Sequence, residues 1–125
     1  MNDELLIEFN GRSKKQDKFL SDFVHTAAGF LDEEKRIHAN EMVTFLQEMV
    51  KNIYDHAEGK GKVKLTRIGR GIHFKVEDFG DKRHDFGQGL FLIQGMARDL
   101  KIIAFEINCS RGFTYTGIYP YKTRA

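Results

Sequence analysis

The chain has no tryptophan, one cysteine and one proline. A lone thiol, Cys109, cannot close an intramolecular disulfide, which fits a reducing compartment. The only proline, Pro120, stands near the end, and no Pro/Gly/Ser-rich linker, internal repeat or low-complexity run divides the chain. No stretch approaches the roughly 18 consecutive apolar residues of a membrane span. The amino terminus, MNDELLIEFNG, has neither the basic region nor the long apolar core of a secretion signal. An excess of one charge is missing as well: 20 Lys and Arg against 18 Asp and Glu leave a net +2. That balance is too even to argue for nucleic acid or an anionic membrane. The short basic groups at Arg12, Lys14 and Lys15, at Lys60, Lys62 and Lys64, and at Lys82 and Arg83 read as solvated surface. These absences lead to the expectation of a soluble cytoplasmic protein with no direct nucleic-acid partner and no membrane attachment.

What is present is apolar and aromatic. Hydrophobic residues make up 41% of 125 residues, 11 of them Phe, which suits one folded domain from residue 1 to 125 with a two-layer core. Leu5, Ile7 and Phe9 alternate in a short strand that stops at Gly11. Ser13 and Gln16 have the spacing of a capping box, and the pairs Phe19/Leu20, Phe23/Val24 and Ala27/Ala28 recur every four residues, which predicts a helix ending near Leu31. A second helix begins between Asp32 and Asn40, either of which could cap it, and runs to about Ala57 before Gly59 stops it. Val63 and Leu65, then Ile72, Phe74 and Val76, alternate on either side of Gly69-Arg70-Gly71 and predict a hairpin. After the charged, glycine-rich FGDKRHDFGQG, the spacing of Leu90, Ile93, Ala97 and Leu100 predicts a third helix. The chain closes with a strand through Ile103, Phe105 and Ile107, a turn at Ser110-Arg111-Gly112, and a strand through Phe113, Tyr115 and Ile118. The order β-α-α-β-β-α-β-β predicts an α+β fold, a two-layer sandwich of one mostly antiparallel sheet with helices on one face.

Three stretches carry chemistry. In EMVKNIYDHAEG, residues 48–59, steps of four stack Glu48, Asn52 and His56 about 100° from the apolar face of the second helix. They are either half-exposed helix residues or the lining of a pocket between layers. In the second case a carboxylate can orient or deprotonate a nucleophile, and a carboxamide oxygen can ligate a hard cation such as Mg²⁺ without adding charge. In VEDFG, strict alternation sends Asp78 to the same apolar face as Ile72, Phe74 and Val76. A buried carboxylate needs partners. These are either backbone amides of the turn at Phe79-Gly80 or the amino group of a ligand, with Gly80 letting a flat ring approach the backbone. In GQGLFLIQG, Gly87 and Gly89 precede the third helix, as a simple turn or as amide donors to an anion.

Together and in this order the stretches resemble the Bergerat ATP-binding fold of gyrase, mismatch-repair proteins and histidine kinases, the GHKL ATPases. EMVKNIYDHAEG resembles the N-box, DFG the first glycine box, GQGLFLIQGM the second, and GFTYTGIY the final glycine-containing strand turn. The likeness spans nearly the whole chain and is nearest to the small anti-sigma-factor serine/threonine kinases of bacterial partner switching, which carry Glu, Asn and His at this spacing. It implies a histidine-kinase-like ATPase domain using ATP and Mg²⁺, with Glu48 as general base, Asn52 as the Mg²⁺ ligand and His56 near the phosphates. It also implies Asp78 as acceptor for the adenine amino group, Gly80 packed on adenine, and Gly87 and Gly89 as backbone donors to phosphate, with Lys82, Arg83, Leu90 and Thr114 completing the nucleotide contacts. The implied protein partner is a sigma factor or an antagonist of the anti-anti-sigma type, and the implied assembly is a homodimer. The chain departs from the family pattern in three places. Lys82 stands where a second glycine is usual, only six residues separate Gly80 from Gly87, and Phe113 occupies a threonine position. A non-catalytic partner-binding module is the alternative that the short lid suggests. The detached catalytic half of a histidine kinase would need a phosphoacceptor helix elsewhere, and none of the five His lies on an obvious separate dimerisation hairpin.

Overall fold

The computed structural model describes residues 3–10, 15–57, 59–79, 88–108 and 113–122. The elements run β1 (Glu4–Asn10), α1 (Gln16–Leu31), α2 (Ala39–His56), β2 (Lys60–Ile68), β3 (Gly71–Asp78), α3 (Gln88–Asp99), β4 (Ile103–Asn108) and β5 (Thr114–Pro120). The strands form one sheet in the order β1-β2-β3-β5-β4, with every neighbouring pair antiparallel. This is the α+β arrangement that the element order predicts, and no helix among the described residues is long and apolar enough to cross a membrane.

Period two decides which face of the sheet is covered. Val63, Leu65, Phe74, Val76 and Tyr115 are buried in one cluster with Phe23, Leu31, Met42, Leu46, Met49 and Ile53 of the helices. Each large apolar side chain so buried contributes about 1.5–3 kcal/mol relative to exposure. Phe45 of α2 meets Phe74 of β3 edge-on, ring centres 5.5 Å apart at 84°, the aromatic geometry that the ring quadrupoles favour. The opposite face carries ions. Lys64 meets Glu4 at 3.1 Å, Lys75 meets Glu77 at 3.1 Å, and Lys62 approaches Glu77 at 4.0 Å. Two lysines of the basic group in β2 are therefore interleaved with carboxylates.

Local details differ from the sequence expectation for identifiable reasons. The amino-terminal cap of α1 is Lys15, whose carbonyl accepts from Phe19 N at 2.9 Å. The helix thus starts two residues later than a box capped by Ser13, itself outside the described residues, would place it. The cap of α2 is His38, with no side-chain cap bond, rather than Asp32 or Asn40. Gly59 does end that helix: at φ 72° it takes the left-handed conformation that glycine tolerates, and its N–H reaches back to Ile53 O at 3.1 Å. Gly71 belongs to β3 instead of the turn. Ile118, read on one strand with Tyr115, falls on the opposite face because three steps along a strand reverse the side-chain direction.

A polar cluster fixes the connection between α1 and α2. Glu34, only 7% exposed, receives a fork from Arg36, Nε to Oε1 at 2.7 Å and Nη2 to Oε2 at 3.2 Å. The hydrogen bond from Arg36 outweighs burial and holds the Glu34 carboxyl below its ordinary value. Arg36 also lies 3.7 Å over the ring of Tyr121, and its carbonyl accepts from Lys122 N at 2.7 Å. Arg67 of β2 donates to Phe30 O at 2.8 Å while stacking over that ring. Helix end, hairpin and chain end are thereby tied together on the side of the sheet where β2 turns into β3.

Candidate functional site

The carboxyl-terminal half of α2 is the element around which the candidate residues gather. It can lie close to the sheet because β2 has no side chain at Gly61. A Cβ there would stand 2.3 Å from Glu77 O and 3.1 Å from two carbons of Ile53. Gly61 is in register with Asp78, so the close approach of α2 occurs beside the end of β3. This glycine escaped sequence reasoning, although a glycine inside an alternating strand is itself a signal of close backbone approach.

Asp78 is 6% exposed and continues the inner face of Ile72, Phe74 and Val76, as alternation predicts. Its backbone N–H donates to Phe113 O at 2.9 Å, and the N–H of Phe79 is taken by Lys60 O at 2.9 Å. The Phe79 amide therefore serves the β2 backbone. Phe113 is buried and stacks on Tyr115, centroids 5.9 Å apart and planes 24° apart. Tyr115, 1% exposed, accepts a hydrogen bond at 3.2 Å from the Asn52 amide nitrogen. A continuous chain of contacts thus leads from Asp78 through Phe113 and Tyr115 to Asn52. Glu48, one turn earlier on α2, is half-buried like Asn52, so both occupy the border between the buried and exposed sides of the helix.

The other expected residues are distributed unevenly. His56 is the last residue of α2, and its side chain lies outside the described residues, as do Gly80, Lys82, Arg83 and Gly87 entirely. Gly89 is the second residue of α3 and not a residue preceding it. Leu90, half-buried, packs against the core. Thr114 pairs with Glu77 in β3, which sets its side chain on the face opposite Asp78 and Tyr115. Phe113, in the threonine position of the resemblance, is the residue that faces inward.

The donor chemistry can be tested against Mg²⁺. Among the described residues no group of three or more His, Cys, Asp and Glu could hold a metal by itself. Magnesium usually takes one or two protein oxygens and fills its remaining positions with phosphate and water. Asn52 fits that demand: with its amide nitrogen donating to Tyr115, the hard carboxamide oxygen is the atom it could offer to a metal.

A groove of about 330 Å³ between α2 and α3 is lined by Asn40, Glu41, Thr44, Met96, Asp99 and Leu100. Its carboxylates already have partners. Glu41 accepts from the Tyr119 hydroxyl at 3.2 Å and lies 4.0 Å from His38, and Asp99 lies 3.8 Å from Arg98. Burial, and then the charge of Glu41, pushes the Tyr119 phenol up to about 12. Comparison of the chain with protein-family models and with curated proteins returns no match.

Proposed function

We propose that the protein is a Mg²⁺-dependent ATP-binding regulator with a Bergerat-type site, acting as a serine/threonine kinase on a partner-switching protein. The observation that carries this reading is the linkage of a buried inward aspartate, Asp78, to Asn52 of α2 through Phe113 and Tyr115, with Glu48 half-buried one turn earlier on the same helix. Asp78 would accept a hydrogen bond from the exocyclic amine of adenine, and its apolar surroundings suit a flat ring. Asn52 offers its carboxamide oxygen to the metal. Bound Mg²⁺ would neutralise the phosphate oxygens that approach this helix. Glu48, one turn away, orients a seryl hydroxyl of the partner and takes its proton as phosphoryl transfer proceeds. Calorimetry with ATP and Mg²⁺ tests the binding part. A saturable titration that Asp78→Asn weakens at least tenfold is expected, and a flat titration at high protein concentration overturns it.

One observation favours a second reading. Phe113 puts a buried ring where the resembled kinases carry a hydroxyl, and Thr114 points to the other face. A non-catalytic module that regulates its partner by contact fits that substitution. Phosphate transfer to a candidate antagonist protein separates the two, because only the first reading yields a phosphoserine or phosphothreonine that disappears with Glu48→Ala.

A further inference from the structure

We infer that Tyr115 is a positioning residue for the metal ligand: its phenol oxygen takes the amide N–H of Asn52 and so directs the carboxamide oxygen away from the sheet for Mg²⁺. The inference rests on the nucleotide-binding reading and adds to it a residue that no sequence spacing picks out, since Asn52 and Tyr115 are 63 positions apart.

An asparagine side chain can present nitrogen or oxygen in either of two flipped orientations, and only the oxygen can bind a cation. On an isolated helix surface nothing selects between them. A phenol hydroxyl can accept from the nitrogen or donate to the oxygen. What it fixes is therefore the place of the amide, and a cation on the oxygen then holds the orientation seen here, nitrogen towards Tyr115. Tyr115 is 1% exposed, stacks on Phe113, and belongs to β5, an interior strand paired with β3 on one side and β4 on the other. Its hydroxyl therefore stands at a place set by the sheet. With the Asn52 nitrogen 3.2 Å from that hydroxyl, the carboxamide oxygen is turned from Tyr115 by the planarity of the amide. A cation on that oxygen polarises the amide and makes its N–H a better donor, so metal and phenol reinforce each other. Partners of this kind, one bond removed from a metal, typically alter metal affinity or activity by about 10- to 100-fold when removed.

The test is Tyr115→Phe, which keeps the ring and deletes the hydroxyl. Calorimetry measures ADP affinity with Mg²⁺ and with EDTA, for wild type, Tyr115→Phe and Tyr119→Phe. The expected result is about a tenfold loss of Mg²⁺-dependent affinity in Tyr115→Phe, with metal-free affinity within about twofold of wild type and no such loss in Tyr119→Phe. Asn52→Asp supplies two equivalent oxygens, so in that background removal of the Tyr115 hydroxyl should leave the metal dependence unchanged. A measurement on the unaltered protein stands beside the variants: the side-chain ¹⁵N–H₂ signals of Asn52 should shift with Mg–ADP and not with ADP alone. Undiminished Mg²⁺ dependence in Tyr115→Phe, or an equal loss in Tyr119→Phe, would each overturn the positioning role alone, whereas silent Asn52 signals would overturn Asn52 as the metal ligand and the positioning role with it. Wild-type protein that binds ADP under neither condition overturns the nucleotide reading, and this inference with it.

Discussion

Strand β5 sends two inward tyrosines to α2, at opposite ends of the helix, with opposite hydrogen-bond polarity. Tyr119 donates to the carboxylate of Glu41, whereas Tyr115 accepts from the carboxamide of Asn52. At the first contact an acid is satisfied from the sheet side, and Glu41 also has His38 beside it. At the second the sheet takes up a nitrogen and leaves an oxygen for something else. The first contact is a tether; the second leaves chemistry unspent. The same strand and the same residue type thus serve packing at one end of α2 and a candidate site at the other.

Substitutions can break this contrast, beginning with the largest expected effect. Glu48→Ala should lower phosphoryl transfer to a partner protein by about 10²–10⁴-fold while leaving Mg–ATP affinity within about twofold, as expected for a general base. Glu41→Ala, at the tethered end, should not alter transfer. Radiolabel transfer and calorimetry on both variants check the pair, and equal losses would erase the distinction between the two ends.

Gly61→Ala addresses the close approach of α2 beside Asp78. The added methyl has backbone on one side and Ile53 on the other, so it should destabilise the fold by about 1–3 kcal/mol and weaken nucleotide binding too. Urea unfolding read by circular dichroism measures the first effect.

Tyr119→Phe should cost about 1 kcal/mol of stability, with no change in metal dependence. It also removes an alkaline limb. The folded Tyr119 phenol titrates near 12 against an ordinary 10, so its stabilisation is complete below pH 10 and lost as pH rises towards 12. A pH series of melting temperatures should fall less steeply over that window in the variant.

Glu34→Gln sharpens the comparison from outside α2 and should have the smallest effect near neutrality, about 1 kcal/mol, because Arg36 is partly exposed and the pair is screened. The folded carboxyl lies below its ordinary value of 4.5. Its contribution is therefore complete above that pH and disappears as pH falls through the folded value. The wild type should lose more stability than Glu34→Gln in that acid window.

The features that sequence reasoning recovered are those with short periods. Leu5, Ile7 and Phe9, the every-four-residue pairs of α1, and the inward direction of Asp78 all follow from periods of 2.0 or 3.6 and need no tertiary information. The border position of Glu48 and Asn52 followed for the same reason. Boundaries were less legible: Lys15 and His38 begin their helices without a side-chain cap, so no residue type announces them. The bond between Asn52 and Tyr115 was invisible, because it depends on which strand lies under which turn of helix. Gly61 was overlooked although its place inside an alternating strand was a usable sign. The face of Thr114 was not legible either: the register of β5 with β3 sets its side chain opposite Asp78, a placement that the likeness of the turn does not contain.

At one rim of the sheet, β4 breaks register between Ile103 and Glu106, where Ala104 adopts φ 53°, a conformation uncommon for a residue with a side chain. A kinked border cannot offer an incoming strand an even row of amides and carbonyls, whereas the opposite border, β1, stays in register with β2 along all seven of its residues. Any lateral growth of this sheet onto another polypeptide therefore has a preferred side, and that side lies three strands away from the tyrosine that holds Asn52.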